Sequence, residues 1–306
     1  MDLPAEIVAD ILSRLPIKTI VHCRTVCKRW HILLSEAYFV SLHLSRSPVG
    51  LIGHRTKLRS DLFNLGELDD NLEYHEFIDP CPLERLDLRS RLCWFLDSIN
   101  GLIFYEVKVD HDYVLNICNP ITREYIILPG DNCVRSSMYE IVTRGFGFVE
   151  ASNQYKVVTL YLGSNKSECK IYTLGTGMWR SLGHLPFFVN GLQNGSVGGF
   201  GICSTFFAGN LYWLAKEEHT NKEMVYTFDL ERESFQLTDS APRVYGDLRN
   251  SRSLGTLGDY LCICDGIPDS DLVVIWTMKE NWTKEFIIKS EYGLYFVRPL
   301  NLLKDR

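Results

Sequence analysis

The residues of this 306-residue chain that could carry chemistry are its ten cysteines, eight histidines and 38 carboxylates, and their spacing decides whether they do. Nucleophilic catalysis needs a nucleophile, a base and an orienting group brought into one pocket. The chain has no Gly-x-Ser-x-Gly turn, no glycine-rich phosphate loop and no His-Glu-x-x-His pair, and its histidines follow no ligand spacing. His22, His31 and His43 read as surface or interface positions. Zinc sites need close pairs of ligands, usually two, and Cys262-x-Cys264 stands alone. The other cysteines are scattered, most within apolar runs, as reduced and buried thiols are in the cytosol or nucleus. No catalytic residue, metal or cofactor is expected. Asn165-Lys-Ser, Asn194-Gly-Ser and Asn281-Trp-Thr match the glycosylation triplet but read as turns.

Composition narrows the partners. Against the 38 acidic residues stand 32 basic ones, a net charge of −6, and no stretch gathers Lys and Arg into the stripe a phosphate backbone requires. Nucleic acid is not expected. Residues 181–215 carry no charge, but glycines and Asn, Gln, Ser and Thr break the run into strands and turns rather than a membrane span. Glu6 and Asp10 interrupt what would be the apolar core of a secretory signal, so a cytoplasmic and/or nuclear protein is expected.

What remains is binding, and Met1 to Ser45 concentrates it. Pro4 suits a first helical turn, where its missing N–H has no partner to lose. Ile7, Val8, Ile11, Leu12 and Leu15 then read as one apolar stripe with Glu6 and Asp10 on the other side. Pro16 forces a turn, Ile17 to Ile20 begins a second short helix, and Val26, Trp30, Leu33 and Leu34 mark a third. Phe39, Val40 and Leu44 add one more turn or two. Helices this short bury too little to stand alone, so either the rest of the chain or a partner covers them. The run Leu3-Pro4-x-x-Ile7, Ile11-Leu12-x-x-Leu15-Pro16, then Val26-Cys27-x-x-Trp30 and Leu34, closely resembles the F-box. In that family the module holds the Skp-type adaptor of cullin-RING ubiquitin ligases. The resemblance implies an adaptor-binding surface of Leu3, Pro4, Ile7, Ile11, Leu12, Leu15, Pro16, Val26, Cys27 and Trp30, part of which must also hold the helices together.

Residues 46–59, with Pro48, Gly50, Gly53 and basic residues, read as a connector, and residues 61–79 as strand, acidic solvated turn and strand. Beyond residue 98 a loose repeat begins. Gly101, Gly209 and Gly258 each precede a short β-prone run, and strand-turn-strand units follow. Tyr125, Trp179, Phe235 and Trp282 open the closing strand of each unit, 54, 56 and 47 residues apart, a period that suits four-stranded blades. Such a ring packs against the neighbouring unit and seals the joint between sheets. Asn119-Pro-Ile-Thr-Arg-Glu, Gly145-Phe-Gly-Phe, Tyr155-Lys-Val-Val, Trp179-Arg-Ser-Leu and Val274-Ile-Trp-Thr-Met resemble the plant F-box-associated domain, related to kelch propellers. Gly198-Gly199 is the only glycine doublet, a departure from the kelch pattern that leaves the number of blades open. Tyr295 to Leu300 resembles the opening of a further unit, implying an open ring or a shortened, incomplete last blade.

The expected fold is therefore α+β and multidomain: a three-helix F-box over residues 1–45, a connector over 46–59, and a mainly antiparallel, propeller-like all-β domain over 60–306. The family implies a non-catalytic substrate receptor that reaches cullin and RING subunits through the adaptor and holds an unidentified target protein on its β domain. The other reading is an adaptor-bound interaction or small-molecule-sensing protein without ubiquitin transfer.

Overall fold

The computed structural model describes residues 3–46, 50–57, 60–68, 74–78, 93–109, 112–119, 124–130, 141–163, 166–186, 189–192, 204–217, 220, 222–243, 251–267 and 272–289. The chain divides into two units, one of residues 1–93, 100–103 and 107–127, the other of residues 94–99, 104–106 and 128–306.

Four helices, not three, open the chain: α1 (Ala5–Leu12), α2 (Ile17–Cys23), α3 (Lys28–Leu33) and α4 (Ala37–Leu44). Pro4 and Pro16 stand as the N-caps of α1 and α2, extended at ψ 147° and 144°, where a missing N–H costs nothing. The run at Phe39 makes a full two-turn helix because Phe39 is anchored in the small core. Side chains near its end also bond back to α1: His43 Nδ1 meets the Ser13 carbonyl at 3.1 Å, and Arg46 donates to Ser13 Oγ and Asp10. His43 is thus buried and stacked on Phe39, not a surface residue.

Residues 46–59, expected to be a connector, hold β1 (Gly50–Lys57). It pairs antiparallel along its whole length with β2 (Ser60–Leu68), which pairs in turn with β3 (Tyr74–Ile78). The hydrogen bonds come from the neighbour strand, a tertiary contribution that the glycine-rich local composition does not announce.

The remaining strands form antiparallel meanders of propeller type: β4 (Cys93–Ile99) to β7 (Glu124–Ile127), then β8 (Ile141–Val149) to β11 (Trp179–Gly183). They continue with β12 (Val189–Leu192) to β16 (Ser234–Asp239), then β17 (Ser251–Leu257) to β20 (Trp282–Lys289). Each runs in sequence order, except that β12 and β13 (Thr205–Phe207) both pair with β14 (Asn210–Glu217). Gly101 and Gly209 take φ of +78° and +77° in the tight β4–β5 and β13–β14 turns, conformations that favour glycine. In the β8–β9 turn Asn153 (φ 51°) takes the left-handed position, which is why the glycine repeat skips that unit. The expected further unit at Tyr295 to Leu300 lies outside the described residues.

The repeated aromatics stand on the outer strand of each of the four sheets from β4 to β20, as the spacing predicts. Trp179 Nε1 donates to the Pro129 carbonyl at 2.7 Å, just past β7, and Trp282 Nε1 to the Asp239 carbonyl at 2.8 Å, the end of β16. The Trp282 indole thus reaches the terminus of the preceding outer strand. Phe235 has no N–H to give, and an ion triad joins the sheets near it: Glu233 takes Lys156 at 2.8 Å and Arg180 at 2.5 Å. Burial acts to raise the Glu233 carboxyl, yet those two hydrogen bonds outweigh it and hold the group below its ordinary value. A carboxyl with a depressed folded pKa stabilises the fold above its unfolded pKa, about 4.3, and that stability is lost as pH falls. The thermal midpoint is therefore expected to stay level down to about pH 5 and then drop. Glu233→Gln should flatten the drop; an identical acid profile in wild type and variant would contradict this.

Candidate functional site

The helical module has a complete small core. Ala9, Leu12, Ile20, Leu33, Leu34 and Phe39 are buried, with Val8, Leu15, Cys23 and Trp30 packed against them. The single stripe read on α1 is in fact two. At 100° per residue, Val8, Ala9 and Leu12 turn to the core, while Ile7 and Ile11, one turn apart, face away from it. Leu3, Ile7, Ile11 and Val26 keep 56, 48, 50 and 64 % of their surface exposed. Large aliphatic residues left outside a finished core are the feature that needs explaining.

Polar contacts fix this surface in place. Leu3 precedes the helix and has no helical bond of its own, but Arg29 donates to its carbonyl at 3.4 Å, tying the N-terminal stretch to the start of α3. The exposed Cys27 caps α3, its Sγ accepting from the Trp30 N–H at 3.5 Å. Behind the surface, Asp10 is gripped by Arg14 at 3.2 Å and Arg46 at 2.7 Å, and these hydrogen bonds lower its carboxyl pKa. Charge therefore clusters near the α1–α4 joint while Ile7 and Ile11 remain bare.

Elsewhere the charged groups are consumed by structure. Arg252 on β17 donates to Asp265 through Nε at 2.5 Å and Nη2 at 2.6 Å, to Glu223, and to the Ala241 and Pro242 carbonyls. Trp276 Nε1 donates to the same Asp265 at 3.1 Å, and Arg243 holds Glu223 at 2.6 Å. Burial pushes the Cys118 and Cys169 thiols up to about 12, which keeps these two protonated and unreactive. Among the described residues no cluster of His, Cys, Asp and Glu could hold a metal ion, and no helix is long and apolar enough to cross a membrane.

Comparison with known families fits both parts. Residues 81–295, more than half the chain, match the F-box associated beta propeller domain, and residues 1–40 match the F-box-like family. The chain is an F-box protein. F-box/kelch-repeat protein At3g23880 of Arabidopsis thaliana is 28 % identical over 98 % of this chain and 82 % of its own length. F-box protein CPR1 of the same plant is 28 % identical over 99 % and 78 %. Solved structures add nothing to the chemistry: a post-proline cleaving enzyme from Rickettsia typhi aligns at a TM-score of 0.45 and 9 % identity, over 94 % of this chain and 51 % of that one. Proteins of this family are in general substrate adaptors rather than catalysts.

Within the F-box the residues singled out from the sequence separate by place. Leu3, Pro4, Ile7, Ile11, Pro16, Val26 and Cys27 are exposed, Leu15 and Trp30 are half-buried against the core, and Leu12 is buried within it. Ile32, Tyr38 and Val40, which lie outside that set, are also exposed. Their signal was available: Ile32 is a large apolar residue off the stripe of Val26, Trp30 and Leu33.

Proposed function

We propose that this chain is a substrate receptor of a Skp-cullin-F-box ubiquitin ligase. Its F-box docks on the Skp-type adaptor through Leu3, Pro4, Ile7, Ile11, Pro16, Val26 and Cys27, with Leu12, Leu15 and Trp30 behind them holding the helices. The observation that carries the reading is the outward set of Leu3, Ile7, Ile11 and Val26 on a module whose core is already closed. Each is about half exposed, so covering it contributes on the order of 1 kcal/mol. The β domain holds the target, so that target lysines lie beside the conjugating enzyme that cullin and RING subunits bring. The chain supplies proximity, which raises effective concentration without any catalytic group of its own. It works in the cytoplasm or nucleus.

Replacing Leu3 and Pro4 together with alanine is expected to weaken adaptor binding at least about tenfold, or about 1.4 kcal/mol, while the β domain stays folded. Co-purification with the adaptor at unchanged yield and affinity would overturn the assignment. Polyubiquitin formed on a bound partner by the reconstituted complex separates a ligase receptor from an adaptor-bound protein that only senses or scaffolds.

A further inference from the structure

β20 differs from its equivalents. It is the outer strand of its sheet, and among the described residues no strand pairs with its far edge. The outer strands β11 (Trp179-Arg-Ser-Leu-Gly) and β16 (Ser-Phe-Gln-Leu-Thr-Asp) are shorter and mostly polar, and of their large apolar residues only Leu237 is exposed; β7 exposes Ile126 and Ile127 but runs only four residues. β20 runs eight residues and exposes three large apolar ones in succession, Phe286, Ile287 and Ile288, at 43, 60 and 49 %. An edge of that composition invites another strand unless something blocks it. Its first half is blocked. The pairing with β19 (Leu272–Met278) slips between Ile275 and Trp276, so Glu285 is an extra residue, and Lys284 lies over the Trp276 ring at 5.4 Å. Bulges and lysines of this kind turn a strand away from partners. Beyond the bulge, from Glu285 to Lys289, neither device is present until Lys289 itself.

We propose that this edge pairs with the same edge of a second copy of the chain. The occupant follows from the order of the five residues. With two copies antiparallel and Ile287 opposite Ile287, Phe286 falls opposite Ile288 and Glu285 opposite Lys289, each pair occurring twice. Aromatic-to-β-branched and opposite-charge pairs across strands are both favourable. Other registers lose this. Centring on Phe286 sets Glu285 against Ile287 and Lys284 against Ile288, and centring between Phe286 and Ile287 sets Lys284 against Lys289. Only the register about Ile287 matches charge with charge and apolar with apolar, and it uses only Glu285 at the bulge and the four residues after it. Glu285 already meets Lys279 at 2.9 Å and is still partly exposed, so its carboxylate can take a second cation. A contact of five residues makes a weak, concentration-dependent dimer rather than an obligate one. The inference stands on β20 alone and does not depend on adaptor docking.

Sedimentation equilibrium of the full chain over a range of concentrations tests it. The mass should climb from one chain towards two. Ile287→Lys sets two like charges opposite each other on a surface position and should give a monomer at every concentration, with circular dichroism and thermal midpoint unchanged. Glu285→Lys should weaken the dimer roughly tenfold, and adding Lys289→Glu should restore it. A wild-type chain that stays monomeric, leaving the edge for an extended segment of some other protein, overturns the proposal. So does a dimer indifferent to Ile287→Lys.

Discussion

Arg252→Ala is expected to lower the stability of the β domain by about 3–5 kcal/mol, the cost of breaking a buried ion pair and leaving its partner charged. The side chains of Arg252, Asp265 and Glu223 retain 1, 2 and 7 % of their exposure, so water cannot replace the lost guanidinium. Burial alone would raise the Glu223 carboxyl, yet Arg252 and then Arg243 outweigh it and keep it below the ordinary range. Removing Arg252 removes the larger of those two influences. It also strips Asp265 of two bonds, leaving it that from the indole of Trp276, and frees the Ala241 and Pro242 carbonyls that fix the chain between β16 and β17. In thermal melts this corresponds to a fall of roughly 6–20 °C for a unit of this size. Arg252→Lys should fall between, because an ammonium keeps the charge but cannot span Asp265 and the carbonyls as the planar fork does. A melt within about 1 °C of wild type for Arg252→Ala would show that the network is not what holds these strands.

That network was invisible in the sequence because its members are far apart in it. Glu223, Arg252 and Asp265 belong to three different strands, and no local period links them. The strands themselves were legible: Leu272 to Met278 reads as an apolar, β-branched run and forms β19 over those same residues. So were the aromatic positions, since one ring opening each outer strand recurs with the blade. β1 escaped because its strand character comes from β2 and not from Gly50, Gly53 or Arg55. In the F-box the helices were legible but the division of their apolar residues was not. Periodicity reports that Ile7, Val8, Ile11 and Leu12 are apolar; only the packing of Ala9 and Phe39 reveals which side is already covered.

Gly147→Ala carries the second large effect, and here two opposing contributions must be compared. Gly145 and Gly147 are two residues apart on β8 and so present the same face. A Cβ at Gly145 would lie 2.6 Å from Ser204 Oγ and 2.7 Å from Leu211 Cδ1. One at Gly147 would overlap Leu230 Cδ1 and stand 3.1 Å from the Phe206 ring. The missing side chains let β8 approach β13 and β14 closely, in a contact that also carries Trp213 Nε1 to Thr143 Oγ1 at 3.1 Å. Alanine restricts the unfolded chain and would by that route add about 0.4–1 kcal/mol of stability. Leu230 is fully buried and packed against Tyr226 and Phe228 in the same core, so it has nowhere to withdraw. Overpacking of this kind costs about 1–3 kcal/mol, which exceeds the gain. Net destabilisation of about 1–2 kcal/mol should appear in the urea midpoint, rising further for Gly147→Val, whose branches meet the same wall. Gly130→Ala is the matched control, because a Cβ there meets nothing within 4 Å and its backbone is not left-handed. If both alanines shift the midpoint alike, the effect belongs to the unfolded chain; if Gly147 alone falls, it belongs to the seam between sheets, where the Gly-Phe-Gly-Phe motif keeps two blades in contact.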